Sequence, residues 1–242
     1  MKRFLKTFLF LIVSLFLVVS GVDRALDHLS RADTQNSFTA YSEQGTVVLA
    51  YQGDINGLRV CMKPGAVVTP LLLADAHHAR IDIPRQIAAC GVAVRHADVL
   101  GEDDRLVSVL HERLAELGVN TLDRQLGVLV VAIGSTHAAA NGRTTQVADK
   151  LIAGTQWACA TTAFATGSGP SLTDAATELR RRGARHVVIA PWFLAPGRLT
   201  DRIAQFAAAE GIPMAAPLGP HRLVAETVLE RFAAGVAERI AA

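Results

Sequence analysis

Two adjacent histidines, His77 and His78, are the strongest concentration of metal-binding side chains in the sequence. They follow the apolar run Ala66–Leu73, a predicted buried strand, and they precede Asp82 and Pro84, predicted as the N-cap and first turn of a helix. Open α/β sheets bind ligands in such loops, at the carboxyl ends of parallel strands. Because a neutral imidazole binds metals and accepts protons near neutrality, the loop is a candidate metal or proton-transfer site. The residues alone also fit a solvated pair without a function.

The segments that would position this loop alternate between strands and helices from Gly65 onward. The predicted strands are Ala66–Leu73, Val92–Ala97, Val128–Ile133, Trp157–Ala165, Val187–Phe193 and Pro213–Ala216. The predicted helices are Asp82–Cys90, Asp103–Leu117, His137–Ile152, Ser171–Arg182, Leu199–Ala209 and His221 to the C-terminus. This alternation predicts an α/β fold in which parallel sheets are flanked by helices.

Two pairs of similar segments recur in the same order along the chain. Val67–Ala74 resembles Val188–Ala195, and Leu100–Arg113 resembles Leu218–Arg231, each pair about 120 residues apart. Recurrence at one spacing predicts a duplicated α/β unit. Two such halves would face each other across a cleft suited to a ligand, with His78 pointing into it.

The N-terminus has a different composition from the rest of the chain. Three basic residues precede an uncharged apolar run from Thr7 to Val22. This order predicts a signal peptide over residues 1–22, with a membrane anchor as the alternative and a buried helix as the third interpretation. A signal or anchor would form a single helix without partners in the α/β body. Residues 23–64 are predicted to be a linker or divergent segment, with a strand at Thr46–Tyr51.

The overall composition limits the classes of function. The chain has 242 residues and a formal net charge of +2, which gives no reason to expect a nucleic-acid partner. Its three cysteines are scattered and form no CxxC pair, so neither a disulfide framework nor a structural zinc site is expected. Sparse cysteine usage indicates a reduced compartment for the body of the protein, in contrast to the possible membrane contact through residues 7–22.

The residues around the two histidines resemble those of the sirohydrochlorin chelatases, class II enzymes that insert cobalt or ferrous iron into a tetrapyrrole. In that family, a strand ending in Pro-x-x-Leu is followed by a loop, a histidine and Asp-Ile-Pro. Those positions are occupied here by Pro70, Leu73, His78 and Asp82-Ile83-Pro84. The family's Pro-Leu-Gly-Pro-His motif before a C-terminal helix is found at Pro217–His221. The likeness runs from about Gly65 to the end and is closest to fused two-half members.

The sequence departs from the family pattern at the other histidine motif. The first strand of the family ends in Gly-His-Gly-Ser, whose histidine is the other metal-binding residue. In the second half Ala132-Ile133-Gly134-Ser135 occupies that place, His137 is nearby but out of position, and residues 1–64 contain no such motif. The resemblance therefore implies two tandem chelatase-like units, an apparently incomplete one at 65–122 and a second at 123–242.

The resemblance also implies an activity and its residues. The chain would be a lyase of siroheme or cobalamin synthesis, cytoplasmic like its family unless the leader directs it to the membrane or outside the cell. It would need no organic cofactor, because the divalent metal is itself a substrate. His78 is the expected catalytic and metal-binding residue, and His77 is a second candidate ligand. Substrate carboxylates would bind Arg80, Arg198, Gly134 and Ser135. The alternatives are a non-catalytic metal- or tetrapyrrole-binding protein and an inactive truncated homologue.

Overall fold

The part of the chain that the structure describes forms an α/β fold with two β-sheets. The computed structural model describes the backbone of residues 15–18, 37–43 and 46–52, and residues 67–89, 91, 93–167 and 170–237. The strands are β1 (Leu15–Val18), β2 (Ser37–Glu43), β3 (Thr46–Gln52), β4 (Val67–Pro70), β5 (Arg95–His96), β6 (Leu126–Ala132), β7 (Cys159–Phe164) and β8 (His186–Pro191). The helices are α1 (Ile83–Ala89), α2 (Asp104–Glu116), α3 (Ala138–Ile152), α4 (Leu172–Arg181), α5 (Arg198–Ala209) and α6 (Arg222–Ala237).

A three-stranded parallel sheet is built around β6, in the order β7-β6-β8. All seven residues of β6 are buried, which explains why its sequence is an unbroken apolar run. At Gly127 a side chain is excluded, because an added Cβ would lie 2.7 Å from Cβ of Ala184, just beyond α4. The predicted parallel sheet flanked by helices is therefore confirmed here, whereas the strand predicted at Pro213–Ala216 is reduced to one bridge between Ile189 and Met214.

The helices begin where polar side chains can cap them. The Asp103 carboxylate accepts a hydrogen bond from the backbone N–H of Arg105 at the start of α2. Ser171 and Asp174 form a reciprocal capping box at the start of α4. Both helices have the bounds that the sequence predicts to within one residue at each end.

The other sheet has five strands, in the order β2-β3-β1-β4-β5. Among the described strands of this sheet, β4 and β5 pair in parallel, and the pairs that involve β1, β2 and β3 are antiparallel. β3 confirms the strand predicted at Thr46–Tyr51, and β2 occupies part of the stretch predicted to be a linker.

The predicted N-terminal helix is wrong where the structure describes it. Leu15–Val18 is a strand, and it pairs on one side with β3 and on the other with β4. An uncharged apolar run suits a strand as well as a helix, because it has no periodicity that would separate the two. The other residues of the predicted run, 7–14 and 19–22, lie outside the described part of the chain. Among the helices that are described, none has both the length and the apolar character needed to cross a bilayer.

The chain divides into two compact units that are not consecutive in sequence. Unit 1 comprises the described residues within 1–72, 78–100 and 228–242, and unit 2 comprises residues 73–77 and those within 101–227. The two halves predicted at 65–122 and 123–242 stay a prediction. A duplication would be shown by equivalent positions in two similar folds, whereas units 1 and 2 are defined by which segments contact each other. The expected equivalence of Leu73 and Leu194 stays a prediction for the same reason.

Candidate functional site

His78 opens a helical turn in unit 1, directly before α1. Residues His78–Asp82 form one turn of π-helix, a wide turn that occurs frequently at functional sites. The predicted N-cap role of Asp82 is therefore wrong, because helical structure begins four residues earlier. Instead, its carboxylate oxygen Oδ2 lies 2.6 Å from Nδ1 of His78, and both side chains are one third exposed. Cys90, the predicted end of this helix, lies outside the described residues.

The His78–Asp82 pair determines which ring nitrogen can act on a ligand. A carboxylate that accepts a hydrogen bond from Nδ1 fixes the orientation and the tautomer of an imidazole. In this arrangement, a metal or a proton taken up by His78 goes to Nε2. The arrangement matches the carboxylate–histidine pairs that orient metal ligands in proteins.

His77 belongs to unit 2 and lies beside a histidine from another loop. Its ring centroid is 6.1 Å from that of His137, and the two ring planes differ by 26°. Both residues are exposed. His137 is the residue immediately before α3, so the structure brings together imidazoles that are 60 residues apart in sequence.

An arginine on α3 holds the loop of His77 in place. Arg143 donates a hydrogen bond of 2.8 Å from Nη2 to the backbone oxygen of Asp75. The same nitrogen lies 3.6 Å from the Asp75 carboxylate. Because the donor is on α3 and the acceptor is two residues before His77, this contact joins the loop to the helix that follows His137.

The loop of His137 is held by its own hydrogen bonds. The Asn141 side chain accepts a hydrogen bond from the backbone N–H of Ser135 and donates one to its carbonyl, both at 2.8 Å. The backbone N–H of His137 donates to Oγ of Ser135 at 3.1 Å. Ser135 is a predicted contact of a substrate carboxylate, and its backbone N–H already donates to Asn141. A direct role of Ser135 would use its hydroxyl.

Gly134 packs against the loop that follows β7. A Cβ at this position would lie 1.8 Å from the backbone oxygen of Thr166. The Thr166 hydroxyl in turn donates a hydrogen bond of 3.2 Å to the Gly134 carbonyl. The glycine is therefore required by the close approach of two loops, and its predicted substrate contact stays a prediction.

The two candidate arginines lie on different elements of different units. Arg80 is exposed in the π-helical turn of unit 1, and Arg198 is exposed at the first residue of α5 in unit 2. Both have the exposure that a carboxylate-binding side chain needs. Their joint contact with one substrate stays a prediction.

Sequence reasoning missed three contributors to this region: the pairing of His137 with His77, the Arg143–Asp75 contact and the Asn141 side chain. A signal existed for His137, because it follows Gly134-Ser135 at the carboxyl end of a predicted strand. Arg143 and Asn141 carried none, because their roles depend on contacts with a loop that is distant in sequence.

The titratable groups in the interior of unit 2 do not suggest a second reactive centre. Burial raises the pKa of the Cys159 thiol, which favours its neutral, unreactive form. Burial also lowers the pKa of His111, whose ring centroid is 5.6 Å from that of Trp157. Within the described ranges, no group of three or more His, Cys, Asp or Glu side chains is arranged to hold a metal ion.

Comparison with known proteins decides the family. The family model for CbiX matches residues 52–117 and 127–234 of this chain. The chain belongs to the CbiX family. Its match in two segments agrees with the two tandem chelatase-like units that the sequence predicts.

Individual relatives and a solved structure are similar to this chain over most of its length or over part of it. A sirohydrochlorin ferrochelatase of Priestia megaterium is 27% identical over 194 residues, 77% of this chain and 72% of the relative. A sirohydrochlorin cobaltochelatase of the same organism is 28% identical over 157 residues, 61% of this chain and 51% of the relative. The structure of SirB from Bacillus subtilis with Fe3+ superposes with a TM-score of 0.65 at 22% identity, over 77% of this chain and 79% of that chain. This likeness shows that the folds are shared.

Proposed function

We propose that this member of the CbiX family is a chelatase that inserts a divalent metal, cobalt or ferrous iron, into sirohydrochlorin. The family match and the two chelatase relatives support the reaction class. The metal is a substrate, and the proposed reaction uses no organic cofactor. Cobalt and ferrous iron both suit an imidazole ligand, so the residues do not choose between them.

The observation that carries the proposal is the contact of His78 with Asp82, at 2.6 Å. Metal insertion releases two protons from pyrrole nitrogens as the ion bonds to the four nitrogens of the macrocycle. We assign His78 Nε2 to the acceptance of a pyrrole proton or to the coordination of the incoming ion. Asp82 holds the ring in the tautomer in which Nε2 is the nitrogen without a proton.

The substrate carboxylates need cationic partners. We assign this role to Arg80 and Arg198, because a guanidinium forms bidentate hydrogen bonds with a carboxylate. The exposure of both residues supports the assignment. Ser135 would contribute through its hydroxyl, and Gly134 would allow the loop to approach the substrate.

A non-catalytic tetrapyrrole-binding protein is the second candidate. It is favoured by Ile133, which occupies the position of the motif histidine in the second chelatase-like half, residues 123–242. The exposed fraction of Ile133 is 52%. An exposed aliphatic side chain at the end of β6 suits the face of a macrocycle and performs no acid–base chemistry.

We place the reaction in the cytoplasm. The antiparallel pairing of Leu15–Val18 within a sheet supports this location, because a strand in that position is part of the folded body. The buried free thiol of Cys159 is compatible with a reducing compartment.

The two candidate functions differ in the rate of metal insertion. Purified protein is mixed anaerobically with sirohydrochlorin and with Co2+ or Fe2+, and insertion is followed by the change in the visible absorption of the macrocycle. A chelatase raises the rate above that of the same mixture with heat-unfolded protein. A binding protein alters the spectrum of metal-free sirohydrochlorin and leaves the insertion rate unchanged, which would refute the enzymatic proposal.

A further inference from the structure

We propose that the amino ends of the parallel strands of unit 2 form a docking surface for an acidic protein partner. The surface combines one exposed leucine, Leu122, with five exposed arginines, which we call the arginine edge: Arg124, Arg180, Arg181, Arg182 and Arg185. The loop of His137 follows the carboxyl end of β6, at the opposite edge of the same sheet. The docking surface is therefore separate from that loop, and it does not depend on the proposed reaction.

Hydrogen bonds to the backbone bring the arginines to this edge. The N–H of Arg185 donates to the carbonyl of Gln125 at 2.8 Å, directly before β8 and β6 begin. Arg124 precedes Gln125, so it lies at the start of the same pair of strands. At the end of α4, Nη1 of Arg182 donates to the carbonyl of Ala160, in the first turn of residues of β7, at 3.0 Å. Because the three strands are parallel, their amino ends all contribute to the arginine edge.

The charges at this edge do not cancel. Two carboxylates lie among the arginines, and both are already paired. Glu178 lies 2.7 Å from Nε of Arg181, and Asp123 lies 2.6 Å from a histidine nitrogen at the start of β8. Within the part of the chain that the structure describes, neither Arg180 nor Arg185 forms an ion pair. The edge therefore has an excess of positive charge that attracts carboxylates, although the formal net charge of the whole chain is only +2.

Leu122 adds an apolar contact to the charged surface. Its exposed fraction is 62%, the largest among the exposed large apolar side chains that the structure describes. The loop of Leu122 is held at the start of β8, because the next residue, Asp123, lies 2.6 Å from Nε2 of His186. Arginine is enriched at protein–protein interfaces, whereas lysine is depleted, and the interface core is apolar with a polar rim. An exposed leucine beside five arginines therefore suits a protein partner.

The hydrogen bonds of the guanidinium groups also favour a protein over a phosphate-bearing polymer or membrane. Arg124 donates from Nε to Oε1 of Gln156 at 2.9 Å, and the contact of Arg182 with β7 holds a second guanidinium in place. Side chains that are held in advance lose less entropy on binding, and guanidinium groups form bidentate hydrogen bonds with carboxylates. The carboxylates of Asp123 and Glu178 would repel phosphates, whereas a protein partner can present cations as well as carboxylates. The partner is a protein surface with aspartates and glutamates around an apolar pocket.

The test is the binding of a fluorescently labelled peptide, in which glutamates alternate with phenylalanines, to the full-length chain, followed by fluorescence anisotropy. One variant carries Arg180→Gln with Arg185→Gln, and a second carries Leu122→Ser. The matched control carries Arg202→Gln with Arg222→Gln, which removes the same charge from exposed arginines of unit 2 outside the arginine edge.

The expected result is a loss of affinity confined to the docking surface. The arginine double variant should bind the peptide about tenfold more weakly than the wild type, and Leu122→Ser about threefold or more. The control should bind like the wild type. Raising the ionic strength should weaken binding by the wild type more than binding by the arginine double variant. Circular dichroism and thermal unfolding establish that each variant is folded.

Three results would overturn the inference. The first is no binding of the peptide by the wild type, or equal binding by the wild type and the folded arginine double variant. The second is tighter binding of inorganic polyphosphate or of phosphatidylglycerol vesicles than of the peptide, which would replace the acidic protein by a phosphate-bearing partner. The third is self-association of the wild type in sedimentation that Leu122→Ser abolishes, which would make a second copy of the chain the occupant.

Discussion

His78 and Asp82 show how a local turn creates a chemical unit. They are four residues apart, and the π-helical turn brings Nδ1 and Oδ2 to 2.6 Å. The sequence motif predicts the register of His78, but it suggests that Asp82 is a helix cap. The pairing depends on where helical structure begins, and a one-turn difference in that start changes the role of the carboxylate.

Replacement of Asp82 by Asn should slow metal insertion by about 10- to 100-fold, because the ring of His78 loses the partner that fixes its orientation. The cost in free energy of unfolding should be about 1 kcal/mol, typical of one lost hydrogen bond. Insertion rates and urea unfolding of the two proteins measure both effects. The control Asp98→Asn changes an exposed carboxylate in unit 1 and should alter neither. Wild-type insertion by Asp82→Asn would remove the carboxylate from the mechanism.

His111 gives stability a dependence on pH that is separate from catalysis. Burial holds its pKa below the usual value, so the unfolded chain binds the proton more readily than the folded chain. The contribution of neutral His111 to the free energy of unfolding is therefore present above about pH 6.5. It is lost as the pH falls from there through the lowered pKa. Between about pH 7.5 and about pH 5.5, the free energy of unfolding should fall more for the wild type than for His111→Gln. Equal losses in urea titrations at the two pH values would contradict this assignment.

Among the elements of the fold, the loops after β6 and β7 pack against each other at Gly134. An alanine there would place Cβ 1.8 Å from the Thr166 carbonyl, so the two loops must separate. We expect Gly134→Ala to lower the free energy of unfolding by about 1–3 kcal/mol, the usual cost of overpacking.

Gly142→Ala is the matched control for that substitution. Gly142 lies within α3, and an added Cβ there has no atom within 4 Å. It should raise the free energy of unfolding by about 0.5–1 kcal/mol, because alanine favours the helix more than glycine does. Thermal unfolding of both variants measures the contrast. Equal stability of the two would show that the close approach at Gly134 is relieved without cost.

Elements with a clear pattern and their own caps were predictable from the sequence. β6 is an uninterrupted apolar run, and α2 and α4 begin at capping residues, so local chemistry determines their bounds. The predicted strand Ala66–Leu73 is shorter in the structure, ending at Pro70, because proline has no N–H with which to continue a ladder. The site was predictable only where it follows a sequence motif. His78 has such a register, whereas the approach of His77 to His137 depends on tertiary contacts of Asp75 with Arg143.

At the scale of the whole molecule, the N-terminal strands are part of a sheet. β1 lies between β3 and β4, so it is the strand that connects the β2–β3 hairpin to the β4–β5 pair.

Deletion of residues 1–22 should therefore destabilise the protein. Loss of β1 removes the hydrogen-bond partners of both β3 and β4, and each kcal/mol lost should lower the melting temperature by roughly 2–4 °C. Calorimetry of the full-length and shortened chains measures the change. A signal peptide or an anchor outside the folded body would instead leave the melting temperature of the shortened chain unaltered, and that result would contradict the role of β1.

We propose that this chain of the CbiX family, which has one motif histidine, inserts metal through His78. The most direct measurement compares the rates of cobalt insertion into sirohydrochlorin by the wild type and by His78→Ala, with thermal unfolding of each. The account predicts that the wild type exceeds the spontaneous rate, that the variant falls to it, and that the stabilities differ by about 1 kcal/mol or less. Insertion by a folded His78→Ala variant at the wild-type rate would contradict the account.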